Sequence, residues 1–188
     1  MYHASYNSFK KFDEKFINKS ETDTFVNGFW FSTEKSTSCA WKNPRYLKEC
    51  EINLSNPISY LDMKKLYVEK YNSMITCDEF RKELLKMGYD GVVFDEPLHL
   101  DVEKIKENCQ ILTDVRGNVR KFTIEEGYLT EYEVDKWGNE EYLRDYMSIE
   151  NYVKENPIVV ICFNSEPIEI IWEKIIKKLK YIVYFFKE

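Results

Sequence analysis

Residues 158–163 read "IVVICF", six apolar side chains in a row, four of them β-branched. The run is too short for a helix, and with no polar position neither face can meet water. It therefore reads as a strand covered on both faces, and the rest of the chain must supply one layer of side chains above it and another below.

The flanking segments supply candidates for those layers. "YDGVVF" (89–94) reads as a second buried strand, and Phe29 to Thr33 as a compact aromatic strand that follows a turn around Gly28. Met1 to Ser5 reads as a short strand, after which Phe9, Phe12 and Phe16 recur at i, i+3 and i+7, as on one face of a helical segment. "YLKECEINLSNPI" (46–58) reads as a longer strand with Leu47, Cys50, Ile52 and Leu54 inside, ended by Pro57. Two helices follow. The second opens on a capping box at Thr76 and Glu79, carries Phe80, Leu84 and Met87 on one face and stops at Gly88. The expected class is α+β without repeats, in a single domain over residues 1–188. Residues 97–156, from Pro97 to Asn156, are rich in charge and tyrosine, with weak strands near Phe122 and Tyr128 and a helix from Asn139 to Lys154, and read as an insertion. Over 168–188, apolar residues at helical spacing from Ile168 to Phe186, interrupted by Lys174, Lys177, Lys178 and Lys180, predict a C-terminal amphipathic helix. Such a helix lies on a membrane, or packs on the domain's own core or on a second copy; its lysines exclude a transmembrane span.

Composition narrows the class. The 188 residues carry a net charge of −6, which argues against non-specific binding to a phosphate backbone. Fourteen tyrosines and twelve phenylalanines provide for a packed core and for stacking surfaces. The cysteines, Cys39, Cys50, Cys77, Cys109 and Cys162, are odd in number and widely spaced, which predicts reduced thiols and a cytoplasmic location, in keeping with a start that does not read as an export signal. No metal site is expected, because neither the two histidines nor the cysteines fall at ligand spacing.

Taken in order, "YHAS", "GFWFST" followed by Ala40 and Tyr46, "INLSNPI", "GYDGVVF" and "VVICFNSEPI" resemble the ADP-ribosyltransferase fold, and most closely its small phage and bacterial members related to the poly(ADP-ribose) polymerase catalytic domain. The resemblance implies a split, strongly twisted β-core with NAD, as substrate, in the cleft between two small sheets. It implies that His3, on the first strand with Tyr2, holds a ribose hydroxyl, and that the Ala4 backbone bonds the nicotinamide amide. Phe31 would line the nicotinamide pocket, Ser32 with Thr33 would orient the site, and Tyr46 would stack on the nicotinamide ring. An aromatic face suits a cationic pyridinium. On their residue types alone, Phe29, Phe31 and Tyr46 also read as core aromatics at strand spacing.

Breaking the bond between ribose and nicotinamide builds positive charge on the sugar, which a carboxylate stabilises. The resemblance puts a glutamate at the start of the "VVICF" strand, where this chain has Val159. The nearest acids are Glu155, just upstream, and Asp95 with Glu96, directly after "GYDGVVF"; a loop or bulge would carry either into the cleft. The implied activity is mono-ADP-ribosylation of a macromolecular acceptor, a protein first of all, in the service of a phage counter-defence factor or a toxin. The alternative is the same fold with a degenerate pocket, blocking a partner by surface contact. Two other groupings read as solvated surface: the carboxylates of "EEGYLTEYEVDKWGNEEY" (125–142), and His99 between Asp95 and Asp101.

Overall fold

The computed structural model describes residues 1–17, 25–40, 44–72 and 74–176 and is of the α+β class. In chain order its elements are β1 (Tyr2–Ser5), a 3-10 turn (Glu14–Phe16), β2 (Phe29–Ser32), α1 (Lys35–Cys39), β3 (Tyr46–Ile52), β4 (Pro57–Ser59), α2 (Tyr60–Tyr71) and α3 (Cys77–Lys86). There follow β5 (Gly91–Asp95), α4 (Val102–Glu107), β6 (Gln110–Thr113), β7 (Val119–Glu125), β8 (Tyr128–Val134), β9 (Glu140–Tyr146), α5 (Ile149–Glu155), β10 (Val159–Cys162) and β11 (Ile168–Ile175).

The apolar run becomes β10, a central strand of a seven-stranded sheet ordered β11-β3-β1-β2-β10-β5-β4. Neighbouring strands are antiparallel apart from the parallel pair β4 and β5. All four residues of β10 are buried. Ile161 turns to one face, where it joins Ile58, Val92 and the helical residues Met63, Tyr67, Phe80 and Leu84. Val160 and Cys162 turn to the other, where Phe29, Phe31 and Cys50 meet Phe12 and Ile17 from the chain between β1 and β2. Period-2 alternation thus splits one apolar run between two cores, and each side chain so buried contributes about 1.5–3 kcal/mol.

The helical layer forms where its local signals are explicit. Ser59 caps α2 by accepting from the Asp62 N–H at 3.1 Å, and the Thr76–Glu79 capping box of α3 is complete. Between β1 and β2 the sheet is splayed. They pair only at Tyr2 with Ser32, whereas β1 pairs with β3 along its whole length.

Residues 97–156 leave the sheet at the end of β5 and return at the start of β10, its neighbour. They build a four-stranded antiparallel sheet, β6-β7-β8-β9, with its own core of Ile105, Phe122, Leu129, Tyr146 and Tyr152. Among the described residues no helix is long and apolar enough to cross a membrane.

Four local expectations are corrected. The predicted C-terminal helix is a strand over Ile168–Ile175, paired with β3; residues 177–188 lie outside the described residues. Its isoleucines satisfy a strand as well as a helix, and the open edge of β3 supplies the ladder, with Ile168 and Ile170 packed on the core. Over Ile168–Ile175 the amphipathic helix on which membrane contact was to rest is therefore replaced by a strand. The helix expected over 139–154 is β9 followed by the shorter α5, because the turn at Asp135–Asn139, with Gly138 at φ 86°, reverses the chain onto β8. The Phe9–Phe16 segment holds a single 3-10 turn, and Phe16 is 76% exposed. Pro57 does not end a long strand; β3 stops at Ile52, and Pro57 opens β4.

Gly28 enters β2 against β10, where an added Cβ would lie 2.6 Å from the Cys162 carbonyl oxygen. Gly28→Ala should lower unfolding stability by about 1–3 kcal/mol, measured by urea denaturation. An unchanged midpoint would show that these strands are not this tightly apposed.

Candidate functional site

The predicted site residues gather in two places. His3 and Ser5 of β1 lie directly opposite Lys48 and Tyr46 of β3, and Glu173 of β11 lies opposite Lys48, so these side chains share one face of the sheet. His3 Nδ1 donates to the Trp30 carbonyl at 2.8 Å, across the splayed joint between β1 and β2. Its ring packs against Phe9, Phe12 and Phe31 at centroid separations of 6.1, 5.0 and 5.4 Å. Burial, with Lys48 adding to it, holds the imidazole below its ordinary pKa. Lys48 is fully buried, with its ammonium against the Glu173 carboxylate, 4.0 Å from the Phe9 ring centre and 6.0 Å from that of Tyr46. Ser8 Oγ donates to the same carboxylate at 2.5 Å. Tyr2 and Ala4 are half-buried; the Tyr2 carbonyl accepts from Ser38 Oγ at 2.9 Å. Phe31 and Ser32 are buried, and Ser32 Oγ accepts from the Glu34 N–H at 3.1 Å.

The two candidate acids meet elsewhere. Asp95, Glu96 and Glu155 all line a cavity of about 410 Å³ between the ends of β5 and β10 and the inner face of the second sheet. Asp95 reaches it through a bulge: Val159 pairs with Asp95 but Val160 pairs with Val93, so Phe94 is the extra residue. Glu155 reaches it as the last residue of α5, which Tyr152 anchors by burial and by accepting from the Leu98 N–H at 3.1 Å. Val159, where the resemblance puts a glutamate, is 6% exposed and lies on the cavity wall. In the sheet order the cavity's Val159, on β10, is two strands from β1 and its Asp95, on β5, is three, about 10 and 14 Å, and neither His3 nor Tyr46 lines it.

Three guanidiniums, from Arg116, Arg120 and Arg144, face five carboxylates in this cavity, those of Asp95, Glu96, Asp114, Glu131 and Glu155. Arg116 pairs with Asp95, and Arg120 Nη1 donates to Glu133 at 2.8 Å. Glu131 is 6% exposed, with Arg144 Nε at 3.7 Å and Arg120 Nε at 3.8 Å, and accepts from the Tyr146 hydroxyl at 2.7 Å. Burial, reinforced by that bond, pushes the Tyr146 phenol well above its ordinary pKa. Burial also raises the Asp95 carboxyl, against the opposing pull of Arg116. The formal excess is two negative charges, in a volume typical of small-ligand sites. Such a cavity suits hydroxyl groups and a ligand centre that carries or develops positive charge.

Both weaker groupings are tied up in structure. Asp101 caps α4 by accepting from the Lys104 N–H at 3.2 Å, while His99 is exposed and Asp95 faces Arg116. Glu125, Glu131, Glu133 and Glu140 each hold a partner within the second sheet. No three histidine, cysteine or acidic residues among those described converge on a metal geometry. A second hollow of about 320 Å³, beside Asn53 and Asp90, has its Asp90 carboxylate already accepting from the Ser55 and Asn56 N–H groups.

The sequence reading did not single out Lys48, Glu173 or the three arginines, and it placed Glu131 on a solvated surface where the structure buries it. Only Lys48 left a signal: in "YLKEC" it stands between Tyr46 and Cys50, on the side of the strand that faces the core. Compared with family models, curated proteins and solved structures, the chain matches none.

Burial depresses the His3 pKa below that of the unfolded chain. Its contribution to stability is therefore complete above the ordinary histidine pKa of about 6.5 and is lost as the pH falls toward the folded value. Wild type should lose more unfolding free energy than His3→Gln between pH 7 and pH 5 in urea titrations; parallel losses would place the imidazole in water.

Proposed function

We propose that this chain is a mono-ADP-ribosyltransferase that cleaves NAD and passes ADP-ribose to a macromolecular acceptor, in the first instance a protein. The observation that carries the reading is the convergence of Asp95 and Glu155 in one cavity at the start of β10, next to the strand β2 that carries Ser32. The nicotinamide riboside end of NAD is cationic, and its cleavage builds further positive charge on the ribose. A cavity with an excess of carboxylates stabilises that state more than the ground state. The half-exposed Arg116 and Arg144 stand at the cavity as donors for a diphosphate. The splayed β1–β2 joint, with His3 beside it, supports the resemblance to a split β-core. Residues 97–156 supply Glu155 and the wall opposite Asp95, and are the natural place for acceptor recognition.

A second reading has its own observation. Val159 replaces the expected glutamate with a buried aliphatic side chain, and Phe9 and Phe12 cap the His3 ring. This is the arrangement of a degenerate module that blocks a partner by surface contact.

Incubation with labelled NAD and a cell lysate separates the two. Asp95→Asn or Glu155→Gln should reduce label transfer about a hundredfold, the usual cost of removing one preorganised transition-state group, while Glu150→Gln on the far side of α5 should leave it unchanged. A wild-type chain that neither binds NAD nor labels any macromolecule would leave the blocking module.

A further inference from the structure

Arg116 touches two consecutive residues of β5. Its guanidinium carbon lies 4.8 Å from the centre of the Phe94 ring, and one of its terminal nitrogens pairs with the Asp95 carboxylate. In a regular strand, neighbouring side chains point to opposite faces, so no single group reaches both. The extra residue in β5 against Val159 and Val160 removes that restriction.

The arginine is presented by a stiff turn. Asp114 Oδ1 accepts from the N–H groups of Arg116 and Asn118 at 2.9 Å each, Asn118 Nδ2 donates to Asp114 Oδ2 at 2.9 Å, and Gly117 completes the reversal at φ 89°. The backbone is thus held, while the side chain is 47% exposed and is tied only at its guanidinium, by Asp95 and the Phe94 ring. The other two arginines are placed differently. Arg120 is 17% exposed and held by Glu133, and Arg144 contacts neither candidate acid.

We propose that Arg116 is a movable latch on Asp95: it pairs with the carboxylate in this structure, and a diphosphate-bearing ligand draws it away, leaving the acid to face the ligand's sugar. The proposal rests on reading the cavity as a dinucleotide site. A half-exposed single ion pair is a weak interaction, whereas a guanidinium bound to a diphosphate makes paired charge-assisted hydrogen bonds, so the exchange runs toward the ligand. A cationic riboside then replaces the guanidinium as the counter-charge of Asp95. Arg116 is on this account a positioning residue, and it makes the site selective for ligands that bring an anion and a cation together.

The charged groups that face Asp95 are Arg116 and Asp114 from the β6–β7 turn, Glu96 beside it, Glu155 from α5, and Arg120, Glu131 and Arg144 from the second sheet. With Arg116 removed, burial and the surrounding carboxylates oppose ionisation more strongly. Inorganic pyrophosphate, an anion with no cation to replace the guanidinium, is therefore the diagnostic probe. The full chain, labelled with carboxyl ¹³C aspartate, is titrated by NMR with and without pyrophosphate, the Asp95 signal being assigned by its loss in Asp95→Asn. Pyrophosphate should raise the wild-type Asp95 midpoint by about one pH unit, roughly a tenfold gain in proton affinity. Arg116→Ala should raise it without pyrophosphate and remove the further response, and Arg116→Lys should keep part of that response. A wild-type midpoint that pyrophosphate leaves in place, or a rise of equal size in Arg116→Ala, overturns the latch. The titration involves no turnover, so a chain that labels nothing with ADP-ribose still reports on Arg116 and Asp95.

Discussion

The burial of β10 on both faces is the constraint from which the rest of the architecture follows. A strand with no polar side must have hydrogen-bonding neighbours on both edges and apolar layers above and below. β2 and β5 supply the edges; α2 and α3 supply one layer, and the chain between β1 and β2, with Phe12 and Ile17, supplies the other. The described residues of the second layer hold one 3-10 turn and are kept in place by aromatic contacts. Phe12 meets His3, Phe9, Phe29 and Phe31 at 4.9 to 5.4 Å, centroid to centroid.

The same strand places the cavity. The second sheet is inserted between β5 and β10, which are neighbours in the first, so both of its connections sit at one end of the same strand pair. Residues at that end, Asp95, Glu96, Glu155 and Val159, are thereby brought opposite the inner face of β7, β8 and β9. Positions 60 residues apart along the chain become the walls of one space, on a scaffold whose rigidity comes from three separate cores.

Among the described residues charge is buried in three places, and in each it has partners. Lys48 meets Glu173, Glu131 meets Tyr146 with two arginines nearby, and Arg81 donates to the Phe163 carbonyl at 2.7 Å and to Asp78 at 3.0 Å. An unpaired buried ion would be costly, so these pairs constrain which strands can be neighbours more than they add to stability. Lys48 shows this most directly. Its partner lies on β11, and a one-residue slip of that strand would turn Glu173 to the opposite face.

Much of the interior was legible from local pattern. The β-branched run at 158–163, the Thr76–Glu79 box and the strand at 91–95 each carry a signal complete within a few residues, and each became the element it predicted. The α+β class follows from them. What failed was assignment where one pattern satisfies two periods. Ile168, Ile171, Trp172 and Ile175 mark a helical face, yet Ile168 and Ile170 equally mark one side of a strand. The free edge of β3 and the buried charge of Lys48 settled the matter, and neither is visible near residue 170. The candidate acids were found from their place beside strand ends, but their meeting depended on a bulge and on the return of an inserted sheet. Hydrophobic alternation is written into the sequence because burial acts on each residue where it stands. Pairing between distant edges and charges was decided only by the tertiary structure, because it depends on which groups the completed fold leaves unsatisfied.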